Sequence, residues 1–305
     1  MKTKFLYISL ILSALCIGQT LQSEEILVFN DAIELPGTLT YSKENIPLII
    51  WVHGSGNIDR NGNQGNMIKA NYIKQFRDQI NQHDIAFFSY DKRTANPKNA
   101  NYLRATLFDD FVADAEQIIA HFRASQRFSE IILVGHSQGS LVAMLASEKI
   151  DKFISLAGPS DRFDKAIIAQ ISQQSSEFAE VASAHFQELF ETGTIKQVNP
   201  LLASIFSKPN LAFIRSWSQY TPSVEIQKIS IPTLIINGTK DLQVKSSAAE
   251  TLHKALPKST LVLINSMNHV LKNIEKDTDN MNSYYTSNFE LSAALISAVE
   301  NFINK

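Results

Sequence analysis

Apolar runs and amphipathic stretches alternate along most of the chain. The runs are short, lack a polar alternation and end in turn residues, which is the pattern of strands buried on both faces. They are PLIIWVHG (47–54), IAFFSYD (85–91), EIILVGHS (130–137), FISLAGP (153–159), PTLIING (232–238) and STLVLIN (259–265). EILVFN (25–30) reads as an earlier, antiparallel strand. Helical spacing lies between most of them. LFDDFVADAEQIIAHFRA (107–124) puts Phe108, Phe111, Val112, Ala115, Ile118, Ile119 and Phe122 on one face. SLVAMLASEK (140–149) and SSAAETLHKAL (246–256) are two further helices. Strand–helix alternation of this kind predicts an α/β fold, a mostly parallel central sheet with helices on both faces.

One stretch breaks the rhythm. Between Pro159 and Ile231 no strand pattern is evident, while SEFAEVASAHFQELF (176–190) and NPLLASIFSKPN (199–210) carry helical spacing. About seventy residues is long for one crossover, so the pattern predicts a helical cap insertion over about 160–225, with a pair of ordinary crossover helices as the alternative.

The N-terminus reads differently. Lys2 and Lys4 precede FLYISLILSALCIG (5–18), an apolar run too short for a comfortable membrane span. A signal peptide over 1–18, removed near Gly18 or by Ser23, leaves one domain from about residue 24 to 305. It predicts an exported protein, periplasmic or extracellular, with no stable membrane insertion after cleavage. The alternatives are an uncleaved anchor or a lipoprotein on Cys16, and Leu15 is bulky for the latter. Cys16 is the one cysteine in 305 residues, so a disulfide scaffold and a cysteine nucleophile are both excluded. A formal net charge of −2 gives no basic footprint for nucleic acid. No His/Asp/Glu cluster has metal-ligand spacing, and no metal or organic cofactor is expected.

The chemistry starts at ILVGHSQGS (132–140). Gly135-His136-Ser137-Gln138-Gly139 fits Gly-x-Ser-x-Gly, after a buried strand and before a helix. In such a nucleophile elbow the serine sits on a strained turn above the C-terminal edge of the sheet, and the flanking glycines let strand and helix backbones approach. A serine hydroxyl needs a base, and the base an orienting carboxylate. Asp241 lies just beyond the strand ending at Gly238, and His269 just beyond the one ending near Asn265. The order Ser, acid, His is that of the nucleophile-elbow hydrolases. Asp241 could instead be a turn residue and His269 a surface histidine; Asp277 and Asp279 are weaker acids, lying downstream of His269. His83, His121, His185 and His253 fall in or beside helical patterns and read as structural or solvated. His136 reads as packing at the elbow.

A tetrahedral intermediate needs two N–H donors. Gln138, directly after the nucleophile, supplies one. HGSGNIDRNGN (53–63) supplies the other, from Ser55 or, second, Gly54. Without the triad that loop would be a plain Gly/Asn turn; it lacks the lysine and spacing of a P-loop.

HGSGNIDRNGN, FFSYDKR, LVGHSQGS, IPTLIINGTKDLQV and MNHVLK together resemble the α/β-hydrolase superfamily, and more narrowly its exported bacterial serine hydrolases of the esterase, dienelactone-hydrolase-like and serine aminopeptidase-like kind. The resemblance runs from about residue 45 to the C-terminus. It implies Ser137 as nucleophile, Asp241 as acid and His269 as base. It also implies that His53, Asp59, Arg60, Asp91 and Arg93 belong to the framework of the site, the charged four reading first as a salt-bridge cluster. The stretch YDKRTANPKNAN departs from the small-residue turn usual in such proteins, and it borders the site.

Three readings of function follow. The first is a carboxylesterase acting on a small-molecule ester through an acyl-enzyme. The second is a peptidase or amidase, which needs an amine-recognising acid; Glu177, Glu180, Glu188 and Glu191 are available, although their helical spacing suits a solvated face. The third is a catalytically silent binding module, against which the intact Ser, Asp and His argue.

Overall fold

The computed structural model describes residues 20–305; the signal-peptide expectation and Cys16 lie outside them. Eight strands form one sheet: β1 (Gln22–Asn30), β2 (Ile33–Tyr41), β3 (Leu48–Val52), β4 (Ala86–Tyr90), β5 (Ile131–His136), β6 (Lys152–Leu156), β7 (Thr233–Gly238) and β8 (Thr260–Ile264). Their order is β1-β2-β4-β3-β5-β6-β7-β8. The β1–β2 and β2–β4 pairings are antiparallel and the remainder parallel. All seven expected strands are present. β2 is an eighth strand, and Pro36-Gly37, a turn-forming pair, lies in its middle. The strand tolerates both. Pro36 lies opposite Leu27 in the β1 pairing, and a Cβ on Gly37 would stand 2.3 Å from the Phe88 ring of β4.

The helices are α1 (Tyr72–Ile80), α2 (Phe108–Ser125), α3 (Gln138–Leu145), α4 (Phe163–Ser172), α5 (Ser176–Thr192), α6 (Ala203–Phe206), α7 (Leu211–Trp217), α8 (Pro222–Glu225), α9 (Ser246–Ala255), α10 (Asp277–Asn280) and α11 (Ala293–Ile303). The strand period of two sorts β3 between two cores. Leu48, Ile50 and Val52 pack with Phe108, Ala115 and Ile118 of α2, Leu141 of α3 and Leu252 of α9. Ile49 and Trp51 face the other way, onto Ile73 and Phe76 of α1 and Leu295 and Val299 of α11. This is the α/β-hydrolase arrangement, with helices on both faces of a mostly parallel sheet.

Among the described residues no strand lies between β6 and β7; α4 to α8 fill that interval. The segment 199–210, expected as one short helix, is broken by its prolines into a 3-10 turn at Pro200–Leu202, α6, and a second 3-10 turn at Lys208–Asn210. α5, α6 and α7 have an apolar cluster of their own around Phe186, Leu189, Phe206 and Ile214. Aromatic stacking joins it to the sheet layer. Phe163 lies 4.0 Å from Trp217, which lies 5.5 Å from Phe108, centroid to centroid.

Candidate active site

β5 ends in the elbow that its sequence predicts. Ser137 has φ 55° and ψ −122°, a conformation that L-residues rarely adopt. The peptide N–H of Ser137 still completes the sheet, donating to Leu156 O at 2.9 Å, and α3 begins at the next residue. The two glycines are there for contact. A Cβ on Gly135 would sit 2.4 Å from Gly139 O, and one on Gly139 would sit 2.3 Å from Val52 O and 2.5 Å from His53 O. Those neighbours are backbone and cannot swing away. Gly139→Ala is therefore expected to cost about 3 kcal/mol, the upper end of overpacking penalties; denaturant unfolding beside the wild type measures it, and a cost below about 1 kcal/mol would contradict the close approach.

The other two candidate residues arrive on loops at the same sheet edge. Asp241 follows β7 and has a fully buried side chain. Its Oδ1 accepts the N–H groups of Gln243 (2.7 Å) and Val244 (2.8 Å), and its Oδ2 lies 2.8 Å from His269 Nδ1. The carboxylate can only accept, so Nδ1 carries the proton and Nε2 presents its lone pair. His269 is held from behind as well. His136 Nε2 donates to the His269 backbone carbonyl at 2.8 Å, and the two rings lie 4.9 Å apart. Burial, then the neighbouring His269, pushes His136 down to about 3, so it is a neutral brace. Trp51 stacks against its other side at 5.9 Å.

Ser137 and His269 line one cavity of about 200 Å³, with Gly54, Ser55, Tyr72 and Tyr284 among its walls. Among the described residues Ser137 Oγ has no hydrogen bond to His269; such contacts are often loose until substrate is bound. A second cavity of about 710 Å³ lies against the first. Phe111 of α2, Phe163 of α4 and Phe213 and Trp217 of α7 give it an apolar wall, and Gln138 and Lys92 reach it from the sheet edge. Among the described residues Ser55 is the one that lines both. Thr94, Leu103, Arg104 and Thr106, from the departing YDKRTANPKNAN loop and its continuation, also line the larger cavity.

The expected framework residues fall outside both cavities. Asp59 Oδ1 caps its own turn through the N–H groups of Asn61 and Asn63. Arg60 clasps Asp91 with Nε at 3.1 Å and a terminal nitrogen at 2.8 Å, and also pairs with Glu25. Arg93 holds buried Asp114 of α2 through two 2.7 Å contacts. These are structural ion pairs that fix the loops after β3 and β4. His53 is buried edge-on against Tyr90 at 4.8 Å and neither ring nitrogen has a partner among the described residues; burial, then Lys92, holds it well below the usual histidine range.

Two residues at the site have no clear sequence signal. Tyr284 brings a buried hydroxyl, without a partner among the described residues, into the wall of the smaller cavity, from a loop with no periodicity. Lys92 stands between two ion-pairing neighbours, yet it is buried and makes no ion pair among the described residues. Burial pushes its ammonium down to about 7, with Asp114 pulling upward. An unfolded lysine titrates near 10.5, so between about pH 7 and 10.5 the unfolded chain binds the proton that the folded chain has shed. Stability from this group therefore rises with pH across that window. The Tm difference between wild type and Lys92→Met is expected to move in favour of wild type from about pH 6 to about pH 10; a constant difference would contradict a buried, titrating lysine.

The BD-FAE profile matches residues 38–256, most of the chain. The protein belongs to the BD-FAE family. That is an esterase family of the α/β-hydrolase superfamily, and this BD-FAE member is a hydrolase. No curated protein matches the sequence. Among solved structures it is similar to Est1E from Butyrivibrio proteoclasticus, at 16% identity and TM-score 0.57 over 92% of this chain and 97% of that one. It is also similar to the Pyrococcus furiosus esterase PF2001 (16%, TM-score 0.61, 94% and 91%) and to a bromoperoxidase from Bacillus anthracis (14%, TM-score 0.54, 92% and 100%). At such identity these likenesses bear on the fold.

Proposed function

We propose that the protein is a serine hydrolase of carboxylic esters, with Ser137 as nucleophile, His269 as general base and Asp241 as its orienting acid. The observation that carries this is one cavity holding an elbow serine and a histidine whose Nδ1 is fixed by a buried carboxylate. Ser137 Oγ adds to the ester carbonyl carbon while its proton passes to His269 Nε2. The carbonyl electron pair moves onto oxygen, where the N–H groups of Gln138 and Ser55 receive the charge. Collapse re-forms the C=O bond and breaks the bond to the leaving alkoxide, which takes the proton from His269. Water, deprotonated by the same imidazole, then adds to the acyl-enzyme and releases the acid and Ser137.

The substrate is a small-molecule ester. The larger cavity suits a bulky apolar group and the smaller one a compact group, with the scissile carbonyl near Ser55, where they adjoin. An aminopeptidase needs an acid beside the substrate amine. Among the described residues neither cavity is lined by Asp or Glu, and Glu177, Glu180 and Glu191 are solvent-exposed, while Glu188 accepts the Lys196 N–H. These observations favour ester over peptide. The N-terminal charge and apolar pattern supports an exported enzyme.

A fluorophosphonate probe tests the reading. Wild type is expected to be labelled and to hydrolyse p-nitrophenyl acetate and butyrate. Folded wild type that is neither labelled nor active would overturn it.

A further inference from the structure

The loops after β3 and β4 and the start of α3 meet at one buried cation. Lys92 Nζ donates to Gly54 O at 2.8 Å and to Gln138 Oε1 at 2.9 Å, and lies 4.2 Å from the centre of the Phe111 ring. A buried ammonium without a bonded carboxylate is unfavourable. The hydrogen-bond partners of Lys92 Nζ among the described residues are those two oxygens, and no carboxylate is bonded to it.

What the ammonium holds is specific. Its two acceptors belong to the two segments that carry the candidate oxyanion donors. A trans peptide places its C=O and N–H on opposite sides, and no described peptide is cis. Anchoring the Gly54 carbonyl on Lys92 therefore turns the next N–H, that of Ser55, away from Lys92. That peptide lies against the nucleophile: a Cβ on Gly54 would be 3.2 Å from Ser137 Cβ. The Ser55 N–H has no backbone or side-chain acceptor among the described residues, nor has the Gln138 N–H. The tether to Oε1 fixes the Gln138 side chain, and with it the first residue of α3.

We propose that Lys92 is the positioning residue of the oxyanion hole: it clamps the Gly54 carbonyl and the Gln138 side chain, and so aims the Ser55 and Gln138 amides at the oxygen that becomes negative. The proposal rests on Ser137 being the nucleophile. Lys92 touches neither Ser137 nor the reacting atoms. Its charge lies just behind the two donors, in a buried setting where it further favours a developing anion. The charged and titratable groups around it are His53 from the loop after β3, Asp110 and Asp114 of α2 with Arg93 paired to them, and Arg104 on the cavity wall. His53 is neutral and the acids of α2 are engaged by Arg93, so of these groups Lys92 is the one whose charge changes near neutrality.

The test compares wild type, Lys92→Met, Lys92→Gln and Ser137→Ala on p-nitrophenyl butyrate, with folding checked by circular dichroism. The Met variant removes the clamp at nearly constant volume. Its kcat is expected to fall about 10- to 100-fold, short of the loss of a donor outright, with KM within about twofold. The Gln variant keeps an N–H for Gly54 without the charge and is expected to fall between; it carries the test if the Met variant does not fold. In wild type kcat/KM is expected to decline as pH rises through the Lys92 titration, and both substitutions are expected to abolish that decline. A folded variant with unchanged kcat, or with only KM altered, overturns the proposal while Ser137→Ala stays inactive. An active Ser137→Ala instead overturns the nucleophile assignment, and the proposal with it.

Discussion

Ser137→Ala is expected to lower kcat for p-nitrophenyl butyrate by at least about 10⁴-fold, with KM little changed and fluorophosphonate labelling abolished. Loss of a triad serine removes covalent catalysis altogether and leaves the residual contribution of binding and oxyanion stabilisation. The structure makes this a clean experiment. Ser137 Oγ makes no hydrogen bond among the described residues, so its removal strands no buried partner, and the backbone bonds of Ser137 to Leu156 and Ser140 remain. The variant is therefore expected to unfold within about 0.5 kcal/mol of wild type, as a change without a packing or hydrogen-bond consequence does. Turnover above a tenth of wild type in the folded variant would remove Ser137 from the mechanism.

Asp241→Asn is expected to lower kcat by about 10⁴-fold while leaving the site in shape, and the reason is directional. Oδ1 of Asp241 accepts two backbone N–H groups, from Gln243 and Val244. An asparagine must keep its oxygen there, so its NH₂ faces His269. The amide then donates to Nδ1, which can accept only if the ring proton sits on Nε2. The imidazole turns from a base toward Ser137 into a donor toward it, the wrong tautomer for proton abstraction. Proton NMR of the imidazole would report the exchange of tautomer beside the kinetic loss. An Asn variant with more than about a hundredth of wild-type kcat would argue that Asp241 is a turn residue only. Asp241→Ala, which removes the turn acceptor too, is expected to lose stability as well as activity, and that contrast separates orientation from scaffolding.

The candidate triad is legible in the sequence because each member directly follows an apolar run, and parallel strands bring their C-terminal ends to one edge. The elbow glycines are legible for a similar reason: backbone contact leaves room for one residue type only. What the sequence hides is whatever depends on partners far along the chain. β2 is hidden by Pro36-Gly37, since nothing local says that Phe88 occupies the space above that glycine. Lys92 is hidden by its neighbours, for YDKR reads as a run of ion pairs and only the course of the loop beyond β4 sends Asp91 and Lys92 to different surroundings. Asp91 meets Arg60, and Lys92 meets the Gly54 carbonyl. Tyr284 is hidden because its loop has no period, and its place is set by the buried side chain of Asn268, which bonds Asn280 and Ser283. The helices between β6 and β7 are partly legible, with their order but not their breaks.

The division of the two cavities has a consequence for how such an enzyme diversifies. The walls of the smaller one come from the loops after β3, β5, β7 and β8, with Tyr72 of α1 and His136 of β5, and none of them from residues 159–231. Nearly half of the walls of the larger one come from α4, α6 and α7 and the turns between them. Those helices carry their own apolar cluster around Phe186 and Phe206. Substitutions at Ile167, Ile205 or Phe213 can therefore reshape the larger chamber without disturbing the elbow, the imidazole or its carboxylate. Mutational drift and laboratory selection for new substrates should accumulate in that one segment, while the candidate triad beside it stays fixed.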